Sequence, residues 1–186
     1  MTYELLKSCD RRRVGLLADW EKWLINADKL YCRFLDRVGE SPFYYHEVAS
    51  VGFLASAAAM AEFIPLAEYE IVKRGREDKR TRVDGRADFW FGSGGRAYSF
   101  EFKRAHVAAT ANNLSEDLSN AIRDIARIQR EEFHYAAGGL IARVRDEFRL
   151  TTYRIFAESD NVDLAYRIGP EGVNGAFLFF KLALAP

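Results

Sequence analysis

Three residues around one predicted turn have types suited to chemistry on a phosphate. They are Asp88, Glu101 and Lys103, thirteen and two positions apart. The stretch Ala87-Asp88-Phe89-Trp90-Phe91 and the stretch Ala97 to Lys103 flank Gly92-Ser93-Gly94-Gly95, a strong hairpin signal. Alternate side chains of a strand share a face, so Phe100 and Phe102 point one way. Ser99, Glu101 and Lys103 point the other way, with Glu101 and Lys103 ~6–7 Å apart along the strand. The neighbouring arm could bring Asp88 beside Glu101. Two carboxylates there could bind one or two hard cations such as Mg²⁺ or Mn²⁺, which take oxygen ligands. Such a metal would lower the pKa of a bound water. Lys103 could position that water or stabilise developing negative charge. The alternative is a solvated strand face with a cross-strand ion pair. For Asp88 it is a carboxylate at a turn or strand edge.

The elements around the hairpin must position these groups. The residues from about Glu4 to Val38 have a helical pattern carrying Trp20 and Trp23, which suit either core or interface. A second helix is expected from Ser41 to Phe63, with Ser41 as N-cap and Pro42 in the first turn. Its small residues, Ala55 to Ala61, would let it lie close on a sheet. Ala67 to Val72 reads as a strand. Lys73 to Arg82 reads as a polar turn with six basic residues in ten. A third helix is expected over Leu114 to Phe133, with Asn113 and Glu116 as a capping box. Leu140 to Val144 reads as a further strand after Gly138-Gly139, and Tyr153 to Ala157 and Phe177 to Leu182 as candidate strands. This alternation points to an α/β layered fold in a single domain of 186 residues.

Asp88 followed by Glu101-Phe102-Lys103 resembles the PD-(D/E)xK nuclease superfamily. The resemblance covers roughly residues 41 to 145 and implies a restriction-endonuclease-like α-β-β-β-α-β core. Residues 1–40 would then be a helical extension outside that core, a candidate homodimer surface, and 146–186 a tail of strands and loops. The implied activity is metal-dependent phosphodiester cleavage, usually in DNA, with Asp88 and Glu101 on Mg²⁺ or Mn²⁺. Many members add a Glu on the helix before the first strand. Glu47 is the candidate here, with Glu62 and Glu70 as competitors, and its alternative role is to complement the helix dipole. Gln129 stands where some exonuclease-like members have QxxxY, but Phe133 replaces the Tyr. Ala87 replaces the usual Pro before Asp88.

Phosphate contacts are expected from Lys73, Arg74, Lys79 and Arg80 in the basic turn, and from Arg123, Arg127 and Arg130 on one helix face. Both groups could equally be solvated surface. A nuclease-fold module that binds nucleic acid or a protein without cutting is the alternative function.

Composition narrows the classes. With 27 basic and 27 acidic residues the net charge is zero, so any basic surface must be local. Cys9 and Cys32 fit neither a zinc knuckle nor a redox CxxC, and reduced thiols suit a cytoplasmic protein. His106 and His134 lack ligand spacing. No apolar stretch is long enough for a membrane span. GxSxG, GxxxxGK[ST] and GxGxxG are absent.

Overall fold

The computed structural model describes residues 3–9, 14–75, 78, 80–106, 109–129 and 133–183. The elements are β1 (Glu4–Lys7), α1 (Val14–Val38), α2 (Glu47–Met60), β2 (Ile64–Arg74), β3 (Arg82–Ser93) and β4 (Arg96–Arg104). They continue with α3 (Ala111–Ile125), β5 (Tyr135–Arg143), α4 (Glu147–Ala157), β6 (Leu164–Ile168) and β7 (Ala176–Leu182). Among the described residues, seven strands form one sheet in the order β1-β6-β7-β5-β4-β3-β2. β4 and β5 run parallel, and the other neighbours antiparallel. The fold is therefore α/β with a mixed sheet flanked by helices.

One face of the sheet is aromatic. In α1, Trp20, Trp23, Leu24, Ala27 and Tyr31 recur at helical spacing and are fully buried. Trp23 lies 5.3 Å from the rings of Phe89 and Phe91 and 5.1 Å from that of Phe100. Its indole N–H donates to the Leu54 carbonyl of α2 at 2.9 Å. At the near end of α1, Asp19 accepts a short hydrogen bond from the Tyr98 hydroxyl and pairs with Arg96 at 2.9 Å. The first helix is thus part of the hydrophobic core, because its apolar stripe covers the Phe side chains of β3, β4 and β7. α2 packs beside it through Val51, Leu54, Ala57 and Ala58. Each fully buried large side chain on this face contributes about 1.5–3 kcal/mol.

The opposite face carries α3 and α4. Leu114, Leu118, Tyr153 and Phe156 pack on Leu140, Ala142, Phe177 and Phe179. α3 comes especially close at Gly138. A Cβ there would stand 2.6 Å from the Ile122 backbone nitrogen. Glycine is what permits this approach, and the approach fixes α3 over the middle of the sheet.

Several expected elements differ. Glu4–Lys7 is a strand paired with β6 rather than the start of a helix. Tyr153 to Ala157 is the end of α4, not a strand, and its Tyr153 and Phe156 face the sheet at helical spacing. Ser41 caps a short 3-10 turn, Pro42–Tyr44, and α2 starts later, capped by His46. α3 starts earlier than expected, with Thr110 and Asn113 making the capping box, and ends at Ile125. β5 begins at Tyr135, so Gly138 and Gly139 are inside the strand. The β3–β4 turn falls within the expected Gly92-Ser93-Gly94-Gly95 stretch but is shorter, because Gly92 and Ser93 still belong to β3. Ser93 pairs with Arg96, and Gly94 and Gly95 both take positive φ, 53° and 85°, which a two-residue type I′ turn requires.

Candidate active site

The sheet opens between β3 and β4. From Ser93↔Arg96 to Phe89↔Phe100 the two strands pair in register. Beyond that point β3 pairs with β2, and β4 pairs with β5. Continuing the register places Asp88 opposite Glu101, at the mouth of the opening. There the Phe102 N–H donates to Asp88 Oδ2 at 2.7 Å, so a carboxylate replaces the missing ladder carbonyl.

Each arm and its neighbours contribute to this opening. Glu101 is only 3 % exposed, and its Oε1 accepts from Lys73 Nζ of β2 at 2.5 Å. Lys103, two residues along β4, donates to the Phe102 carbonyl at 3.1 Å and pairs with Asp124 of α3 at 3.2 Å. Glu47 enters from the first turn of α2, where its carboxylate accepts a hydrogen bond from the Arg104 N–H. It is close enough to Asp88 and Lys103 for their charges to act on it. Glu68 comes from β2. The pairs Ala67↔Phe89 and Tyr69↔Ala87 flank it, so it stands opposite Asp88. Its φ is 53°, a left-handed conformation that costs a non-glycine residue on the order of 1 kcal/mol. Arg86 holds its carboxylate at 3.2 Å.

The electrostatics follow from burial and crowding of like charge. Burial first, then the charge of Asp88, raises the Glu101 carboxyl from 4.5 to about 7, although Lys73 and Lys103 pull it down. Asp88 is raised chiefly by burial, with Glu68 adding to the rise and the Phe102 N–H and Lys103 opposing it. Glu47 is likewise raised by burial, and by Asp88 and Glu68, against Lys103 and the Arg104 N–H. Burial pulls the Lys103 ammonium down, but Glu47, Asp88 and Asp124 together outweigh it and the net direction is up. Three carboxylates thus hold their protons more tightly than they would in water. Added positive charge would relieve this.

The donor set has the chemistry of a hard-cation site: carboxylate oxygens from two strands and a helix end. It is not assembled as one. Among the described residues no group of three or more His, Cys, Asp or Glu stands ready to hold a metal ion. Lys73 and the Phe102 N–H hold one oxygen each on Glu101 and Asp88.

Beside Lys103 lies a cavity of about 710 Å³, lined by Arg74, Gly75, Lys103, Asn120, Arg123, Asp124, Ala126 and Arg127. Four of those side chains are basic. Hydrogen bonding across its rim joins β2 to the segment after α3. The Arg74 N–H donates to the Arg127 carbonyl at 2.8 Å, and Arg127 Nε donates to the Arg74 carbonyl at 2.9 Å.

The structure brings Asp88, Glu101, Lys103 and Glu47 together, and it adds Glu68, Lys73 and Asp124 to them. Other expectations move. Lys73 belongs to β2 and is buried against Glu101, so it is not a surface contact in a basic turn. Arg74 is also in β2, at the cavity wall. Arg80 is exposed in the turn before β3. Lys79 and Arg130, like Arg76, lie outside the described residues. Arg123 and Arg127 do not share a helix face, because α3 ends at Ile125; both still line the cavity. Gln129 is likewise beyond the helix, and its amide donates to the Val72 carbonyl at 3.3 Å. Of the rivals to Glu47, Glu62 pairs with Lys22 at 2.9 Å beside the hairpin turn. Glu70 is exposed opposite Arg86.

Glu68 had no signal of its own. Alternation gives Glu68 and Glu70 the same standing, and only the left-handed turn of the backbone at Glu68 distinguishes them. No family model, no curated protein and no solved structure matches this chain. No helix among the described residues is long and apolar enough to cross a membrane.

Proposed function

We propose that this protein is a metal-dependent nuclease of PD-(D/E)xK type that hydrolyses phosphodiester bonds in DNA. One observation carries the reading. Four residues, Glu47, Asp88, Glu101 and Lys103, the first and last 56 positions apart in the chain, converge where β3 and β4 separate. Convergence at a strand opening beside a basic cavity is what cleavage of a polyanion needs.

In this reading Glu47, Asp88 and Glu101 hold Mg²⁺ or Mn²⁺. When bound, the ion supplies a water of lowered pKa and offsets charge on the phosphate. Lys103 is fixed from two sides, by the Phe102 carbonyl and by Asp124. It presents an ammonium to orient the attacking water and to hydrogen-bond the phosphoryl oxygens. Arg74, Arg123 and Arg127 hold the neighbouring phosphates in the cavity. Water adds to phosphorus, the bond to the leaving oxygen breaks, that oxygen takes a proton, and one new phosphate end remains.

The test is Mg²⁺- and Mn²⁺-dependent cutting of linear, circular and single-stranded DNA and of RNA. Glu101→Gln and Lys103→Ala, both shown to fold, are assayed beside the wild type. Loss of at least 100-fold in both variants is the expected result. Metal-dependent cutting that survives in both would overturn the assignment of residues. The Lys73–Glu101 pair favours a second reading, a nuclease-fold module that binds nucleic acid without cutting, because it already occupies a ligand oxygen. Binding without any cutting would select that module.

A further inference from the structure

We infer that Lys73 is a built-in competitor of the metal: in the metal-free protein its ammonium fills the cation position beside Glu101, and it must leave before a divalent ion takes that oxygen. The inference rests on the metal-dependent reading of the site and concerns a residue that reading does not employ.

Geometry supports it. Lys73 Nζ stands 2.5 Å from Glu101 Oε1, and both side chains are more than nine-tenths buried, at 8 % and 4 % exposure. The two residues come from β2 and β4, which do not pair with each other, so Lys73 reaches across the width of β3. It does so at Gly85. A Cβ there would stand 3.1 Å from Lys73 Cδ and 3.3 Å from Cγ. Glycine therefore leaves the slot through which the methylenes run. The backbone around Lys73 is fixed as well. Lys73 bridges Ile128, and its neighbours Val72 and Arg74 are hydrogen-bonded to Gln129 and Arg127. The ammonium is thus aimed by a clamped strand, not by a surface loop.

A purely structural role is a weaker account of this pair. Taking two charges out of water is costly, and well-packed apolar residues often serve stability better. The surroundings are also not those of an isolated pair, since Asp88, Glu47 and Glu68 crowd the same opening. An ammonium and a hard divalent cation seek the same carboxylate oxygens.

The test measures Mn²⁺ binding to the full chain by titration calorimetry and by the spin resonance of free Mn²⁺. Wild type is compared with Lys73→Met and Lys73→Gln, each checked for cooperative thermal unfolding. Tenfold or tighter binding in either variant, abolished again by adding Glu101→Gln, is expected. Equal affinity in wild type and variants overturns the inference while leaving the metal-dependent reading intact. Absence of Mn²⁺ binding in every protein sinks that reading itself, and the inference with it. A measurement on the wild type alone covers the case in which both variants fail to fold. Acylation of Lys73, followed by peptide mass spectrometry, should run several-fold faster in saturating Mg²⁺ than in chelator. An unchanged rate, at Mg²⁺ concentrations shown calorimetrically to bind, overturns the competition.

Discussion

The two faces of β4 divide the work of the molecule. Phe100 and Phe102 face a continuous aromatic layer supplied by α1, β3 and β7, in which Trp20, Trp23, Phe89 and Phe180 leave no solvent-exposed surface. Ser99, Glu101 and Lys103 alternate with them on the other side. There Ser99 and Glu101 are buried nearly as deeply and Lys103 is partly exposed, and the groups are polar. Among the described residues the buried Ser99 hydroxyl has no hydrogen-bond partner, Glu101 depends on Lys73, and Lys103 depends on Asp124. The same strand thus stabilises the fold with one face and gives up stability on the other. The polar face is costly to bury, whereas the aromatic face is held chiefly by packing.

The largest effect should follow from breaking the aromatic face. Trp23→Ala removes ring contacts with Phe89, Phe91 and Phe100 and leaves the Leu54 carbonyl without its indole donor. A loss of about 3–5 kcal/mol in urea unfolding is expected, and a loss under 1 kcal/mol would show that α1 is not core.

The polar face should respond to pH instead. Glu101 binds its proton more tightly in the folded protein than in the unfolded chain, where its carboxyl returns to the ordinary 4.5. Protons therefore favour the folded state across that interval. Stability should fall as pH rises from about 4.5 through about 7, and level off above. The fall is on the order of 1–3 kcal/mol, with Asp88 and Glu47 contributing in the same direction. Glu101→Gln should flatten much of the slope in denaturant titrations at several pH values. A wild-type curve that rises through this interval would contradict the crowding of like charge.

Smaller effects separate positioning from stability. Asp124→Asn should cost less than about 1 kcal/mol, because the Lys103–Asp124 pair is partly exposed. Under the proposed nuclease function it should nevertheless slow cleavage about tenfold by releasing Lys103, and an unchanged rate would show a merely structural pair. Arg123→Ala should leave stability within about 0.5 kcal/mol. Its expected mark is weaker nucleic-acid binding, with the slope of log affinity against log salt reduced by about 1. An unchanged salt slope would remove Arg123 from the phosphate contacts.

Much of the site was legible along the chain, and the reason is local. Strand alternation and a glycine turn relate Asp88, Glu101 and Lys103 through a single hairpin, whose register came only with the two-residue loop of the structure. Glu47 was legible only as one of three glutamates, because the choice depends on which helix end docks against β4. Arg123 and Arg127 line one cavity, but not through the shared helix face that was expected of them. Their spacing suggests one helix face, but the chain leaves the helix after Ile125 and bridges to β2.

By itself the sequence determined the period of each strong element, the hairpin turn, the α/β class and the triad of charged types on that hairpin, since these depend on residues near one another in the chain. Only the tertiary structure decided that α1 is core, that Glu68 turns toward Asp88, and that Lys73 leaves its basic neighbours to pair with Glu101. Those outcomes depend on packing between segments far apart in sequence: an aromatic layer that must be covered, a glycine slot on β3, and a buried carboxylate that requires a cation. No local pattern specifies which distant lysine supplies it.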